Sequence, residues 1–150
     1  MTLRIAAAGM ALALAACSLP VVDKQADAAA RGLYEEIRTG AELAKDPNLG
    51  PPLKSAEALA QLAEIRTHIP AGPPAKVENR SFNFSTSPGG SSATLVHAYK
   101  YPGGTVLADT YLEKAPGQKD WQVVGFHVKV EPKGGGEAPV TVTTEPAEKT

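Results

Sequence analysis

From residue 77 to residue 130 the chain alternates apolar and polar side chains, and three Pro/Gly turns cut the alternation into four segments. A period of two puts successive side chains on opposite faces of a pleated strand, so each segment predicts a strand with one buried face. The segments are Val77 to Ser85, with Phe82 and Phe84 on one face, then Ala93 to Tyr101, Thr105 to Glu113, and Trp121 to Val130. The connections are Pro88-Gly89-Gly90, Pro102-Gly103-Gly104 and Ala115-Pro116-Gly117-Gln118. Each is too short for a crossover helix, which parallel neighbours would require. The chain can therefore build only an antiparallel four-stranded meander here.

Upstream, the period is 3.6. Ala26, Ala30, Leu33, Ile37, Ala41 and Ala44 recur at three- and four-residue steps and predict a helix over about Lys24 to Ala44, with Gly40 as a stop signal inside it. Asp46-Pro47-Asn48-Leu49-Gly50-Pro51-Pro52 breaks the pattern. A second helix is predicted over about Ser55 to His68, with Ser55 as its N-cap and Leu59, Leu62, Ala63 or Ile65, and Ile69 as its apolar stripe. Helices followed by strands give an α+β domain, with the N-terminal helices packed on one face of a curved antiparallel sheet. All aromatic residues lie between Tyr34 and Phe126, which places the core in residues 24–131. Residues 132–150 are rich in Gly, Pro, Thr and Glu and hold too little apolar surface to offset their ordering entropy, so a disordered tail is expected. Only Val140-Thr141-Val142 alternates there, as a strand at a sheet edge would.

Charge and cysteine content narrow the function classes. Lys+Arg is 15 against Asp+Glu 16, so there is no basic field to hold a nucleic-acid backbone. The single cysteine, Cys17, cannot form an intrachain disulfide or a four-thiolate metal site. It stands directly after a positive residue, Arg4, and an uncharged run from Ile5 to Ala16. That run has the length of a signal-peptide core and is too short to span a bilayer, which needs roughly 20 apolar residues. Its end, Leu14-Ala15-Ala16-Cys17, resembles the signal of bacterial lipoproteins: a Leu, two small residues, then Cys. The resemblance implies cleavage after a signal peptide of residues 1–16 and lipidation of Cys17. Residues 17–23 would form the lipidated Cys and a tether, with the membrane as first partner. Ser18 differs from the Asp that marks inner-membrane retention in this class, so the resemblance implies the outer membrane, facing the periplasm, in a two-membraned host.

A second resemblance lies in the last two strands. Thr105-Val106-Leu107-Ala108-Asp109-Thr110-Tyr111-Leu112-Glu113, a Gly-containing turn, and Asp120-Trp121-Gln122-Val123-Val124-Gly125-Phe126-His127-Val128 are similar to the closing hairpin of cystatin-like domains. The cone-shaped domains typified by nuclear transport factor 2 end in the same way. Such folds host enzymes and binding modules alike, so the resemblance bears on fold and not on activity.

The candidate chemistry centres on the middle hairpin. With Pro102-Gly103-Gly104 as a three-residue loop, His97 stands opposite Asp109, Leu95 opposite Tyr111, and Tyr99 opposite Leu107. A carboxylate that orients an imidazole is the arrangement a general acid–base site needs. A two-residue loop would separate the pair, and a solvated cross-strand pair is the alternative. On the three-residue register Leu95, Tyr99, Leu107 and Tyr111 form the binding face. His68, His97 and His127 are too far apart in sequence for a zinc site, and no cofactor motif is present. Trp121 is expected as a core anchor, and Arg31, Glu35, Glu36 and Arg38 as a solvated helix face. The sequence thus predicts a lipid-anchored envelope protein that binds a small ligand or an envelope protein. The alternatives are an isomerase- or hydrolase-type enzyme using His97 and Asp109, or an inhibitor or secretion-accessory lipoprotein.

Overall fold

The computed structural model describes residues 22–134 and 140–144; the predicted signal segment, Cys17 and most of the tether lie outside the described residues. Helix α1 (Lys24–Thr39) starts where the Asp23 carboxylate accepts the backbone N–H groups of Gln25 and Ala26, at 2.9 and 3.1 Å. It stops at Gly40, which takes the left-handed conformation (φ 77°) and closes the last turn onto Glu36. The helix therefore ends short of the predicted Ala44. Its buried stripe is Ala26, Ala30, Leu33, Tyr34 and Ile37. Helix α2 (Ala56–His68) has Ser55 as its N-cap, as expected, and buries Ala58, Leu62 and Ile65; Ala63 faces solvent.

The strands are β1 (Lys76–Ser87), β2 (Gly90–Tyr101), β3 (Gly104–Lys114), β4 (Gln122–Pro132) and β5 (Val140–Thr144). They form one curved, open antiparallel sheet in the order β1-β2-β3-β4-β5. The meander has a fifth strand where the composition of residues 132–150 predicts disorder. Val140–Thr144 is a β-branched run, Val-Thr-Val-Thr-Thr, that suits a strand and completes the ladder along β4. The Thr144 hydroxyl adds a side-chain bond to the Phe126 carbonyl and accepts the Phe126 N–H.

Both helices cover one face of the sheet. Phe82, Phe84, Ala93, Leu95, Tyr99, Val106, Ala108, Leu112, Val123, Phe126 and Val128 meet the helical stripes there in a single apolar cluster. Trp121 is 3% exposed and takes the edge of Phe84 at 6.1 Å, in the anchoring position expected of it, with the Lys114 ammonium 4.7 Å from its ring centre. The connector between the helices is stitched to the sheet. The Val123 N–H donates to the Asn48 carbonyl (2.7 Å) and the Gly50 N–H to the Val123 carbonyl (2.8 Å), so Leu49 pairs with Val123 as a short parallel bridge.

The turn geometry corrects the predicted register. Both Pro-Gly-Gly sequences make two-residue loops: Ser87 pairs with Gly90, and Tyr101 pairs with Gly104. The third residue belongs to the ladder. A Cβ at Gly104 would lie 2.4 Å from the Glu131 carbonyl oxygen of β4, and one at Gly90 would lie 2.7 Å from that of Lys114. These glycines permit close strand approach rather than a longer loop.

Candidate functional site

The one-residue difference in register moves every cross-strand partner on the middle hairpin. His97 pairs with Ala108, Asp109 with Val96, Leu95 with Thr110, and Tyr99 with Val106. His97 and Asp109 therefore sit on opposite faces of the sheet and do not form the predicted acid–base pair. The four residues expected to form a binding face are divided as well. Leu95 and Tyr99 are buried under the helices, while Leu107 and Tyr111 lie on the other face with Asp109.

His97 nevertheless has a carboxylate partner. It is 1% exposed, and its Nε2 lies 2.8 Å from Asp27 Oδ1 on α1. The other Asp27 oxygen lies 3.0 Å from Arg31 Nε, one helical turn further on. Burial pushes the imidazole pKa below its ordinary value. The hydrogen bond to Asp27 and its charge oppose that shift, and Arg31 reinforces it. A neutral ring that donates Nε2–H to the Asp27 carboxylate satisfies both conditions. Beside it the Tyr34 ring stacks on Tyr99, centroids 3.5 Å apart and 7° from parallel, and the Tyr34 and Tyr101 hydroxyls share a 2.9 Å hydrogen bond. Burial raises the pKa of all three phenols. This seam joins α1 to β2 and is closed to solvent at His97. Its polar groups tie α1 to β2. Asp27 is not among the residues that the sequence pattern singles out. The available signal was a charged side chain one turn before Ala30 and two before Tyr34, beside the apolar stripe.

The uncovered face carries the accessible chemistry. Asp109 stands between Val96 on β2 and His127 on β4. Partial burial pushes its carboxyl upward and the nearby His127 draws it back down. Tyr111, 43% exposed, is the exposed large hydrophobic side chain among the described residues. Its ring lies across Gly125, where a Cβ would come within 3.2 Å of it. Opposite Tyr111 the ladder slips by one residue, leaving Val124 as a bulge in β4. Tyr111, Gly125, His127 and Thr143 thereby frame a largely apolar groove of about 340 Å³. The Thr143 hydroxyl lies 3.2 Å from His127 Nδ1 at its rim.

His68 ends α2, and Arg66 also stands in its last turn, where positive charge complements the helix dipole. Arg38 departs from the expected solvated row: its guanidinium pairs with Glu35 and donates to the Ala71 carbonyl at 2.9 Å. Among the described residues, no helix is long and apolar enough to cross a membrane. Among the same residues, no three His, Cys, Asp or Glu side chains are grouped to hold a metal ion. The chain matches no protein-family model, no curated protein and no solved structure.

Proposed function

We propose that this protein is a lipid-anchored binding module of the bacterial cell envelope. In this proposal Cys17 carries the lipid and the uncovered sheet face engages an envelope protein or a small ligand. The observation that carries the proposal is the asymmetry of the domain. Both helices occupy one face, and the exposed aromatic Tyr111, with its groove, is on the other. The first described residue, Val22, already packs against the core. Four residues, 18–21, then separate Cys17 from Val22, a span of at most roughly 14 Å at about 3.5 Å per residue. So short a separation would keep the domain near the membrane surface. Ser18 supports sorting to the outer membrane, on the periplasmic side. The two helices against a curved meander also support placing the domain among cystatin-like or cone-shaped folds.

Two measurements test this. Intact mass of the membrane-extracted protein should show a chain beginning at Cys17 with added diacylglycerol and acyl mass, and Cys17→Ser should release the protein from the membrane fraction. An unmodified chain starting at Met1 would end the anchoring proposal. A photo-crosslinking residue at Tyr111 should capture a discrete adduct in intact envelopes, whereas one at Ala63 on α2 should not. Equal labelling at both positions would remove the uncovered face as the binding surface.

A further inference from the structure

Seven residues of the chain carry carboxamide side chains, and four of them, Gln25, Asn48, Gln118 and Gln122, line two clefts at one end of the domain. The clefts, of about 220 and 240 Å³, share Asn48 and Asp120 in their walls and so form one continuous polar surface. It lies at the start of α1 and beside the turn before β4, and the groove framed by Tyr111 and His127 has no residue in common with it.

We propose that this surface is a binding site for a neutral oligosaccharide. A hydroxyl group both donates and accepts, and a carboxamide offers both functions from one side chain. The Asp120 carboxylate accepts strongly from hydroxyls and repels anions. Lys119 is the one cationic side chain among the described residues lining the two clefts, and the nearby Lys114 ammonium is engaged over the Trp121 ring, so the lining holds no cluster of positive charge for a phosphate or carboxylate. The Pro47 ring and the Ala29 methyl supply small apolar patches of the kind that cover the C–H faces of a sugar.

The polar groups are held on rigid supports. The Asn48 N–H donates to Asp46 Oδ1 (2.8 Å) and its carbonyl accepts from Val123 (2.7 Å), which fixes its backbone from both sides. Gln118 is held by its turn, where its Oε1 accepts the Ala115 N–H at 3.0 Å, leaving its NH₂ free to donate outward. Gln25 Nε2 reaches Asp120 Oδ1 at 3.4 Å, linking α1 to the β4 turn across the cleft. Groups fixed before binding lose little freedom on binding. Trp121 forms part of the wall, and its Nε1–H is buried without a hydrogen-bond partner among the described residues. A buried donor of that kind gains from any acceptor that approaches it.

Trp121 is the sole tryptophan of the chain, so its fluorescence reports on this surface directly. Full-length protein in a sugar-free detergent should show a saturable change in emission with chitotriose or maltotriose; comparing the two reveals whether an acetamido group contributes. Asn48→Ala and Asp120→Ala, both at exposed positions, should each weaken binding by about tenfold, the loss expected when a charge-assisted or well-aligned hydrogen bond is removed. Tyr111→Ala should leave sugar binding unchanged, which separates this site from the uncovered sheet face. Gln122→Ala supplies a further variant should either of the first two fail to fold. An emission spectrum indifferent to both sugars at millimolar concentration would overturn the proposal, as would an undiminished response in folded Asn48→Ala and Asp120→Ala proteins.

Discussion

On each side of the sheet a histidine lies close to an aspartate, from α1 on the helix side and from β3 on the other, and the two pairs serve in opposite ways. Under the helices, His97 meets the Asp27 carboxylate through a 2.8 Å hydrogen bond, with the ring sealed from water. On the other face, Asp109 and His127 are cross-strand neighbours, with no helix of the described residues packed over them. Identical residue types therefore serve a structural seam on one side and an accessible surface on the other. Burial and layer, more than residue identity, decide which role a titratable group takes.

The largest expected contrast comes from two aromatics separated only by the sheet. Phe126→Ala empties a fully buried position and should cost about 3–5 kcal/mol in a urea-unfolding measurement. Tyr111→Ala, on the uncovered face, should stay within about 0.5 kcal/mol of the parent. Equal losses would mean that a second layer covers Tyr111 in the folded protein. Next in size is the seam. His97→Ala removes the partner of a half-buried carboxylate and should cost about 2–3 kcal/mol. The register itself can be tested by glycine substitution. Gly104→Ala brings a methyl against the Glu131 carbonyl and should cost about 1–3 kcal/mol. Gly103→Ala meets open space and should be tolerated; if the two cost the same, the two-residue loop is wrong.

The smallest effects concern pH, and they have opposite signs on the two faces. The pKa of His97 is lowered on folding, so the unfolded chain binds the proton more readily. Its neutral form contributes stability that is fully present above about pH 6.5 and is lost as the pH falls below that value through the lowered folded pKa. Asp109 is raised on folding, so the folded chain holds the proton longer. Its contribution is present in acid and is lost as the pH rises from about 4 through the raised value. Urea midpoints measured across pH should therefore lose their rise toward neutrality in His97→Gln. Asp109→Asn should gain stability at neutral pH. A shift of the same sign in both would contradict the assigned environments.

Much of this architecture was legible in the chain. A 3.6-period stripe from Ala26, Ser55 before the next stripe, and alternation after residue 76 located both helices and four strands. The register was not legible, because Gly104 looks like part of a turn and its real constraint is the Glu131 backbone on a strand almost thirty positions later. Strand β5 was hidden by the composition around it: Gly, Pro and Glu flank a run that alternates well by itself. The Asp27–His97 contact joins residues from different elements, and no local pattern encodes which carboxylate reaches a buried ring. The carboxamide surface escaped for the same reason, since α1, the helix connector and the β4 turn meet only in three dimensions.

The bridge between Leu49 and Val123 has a consequence for the order in which the molecule assembles. One of its partners emerges from the ribosome early, and the other only after most of the sheet has been made. Leu49 and Leu53 must stay without their final contacts during that interval, and closing so long a loop is a slow step. The helical connector should therefore be among the last regions to gain protection from hydrogen exchange during refolding, well after the β2–β3 hairpin. The cleft beside Asn48 would then become competent to bind only when the whole domain is finished.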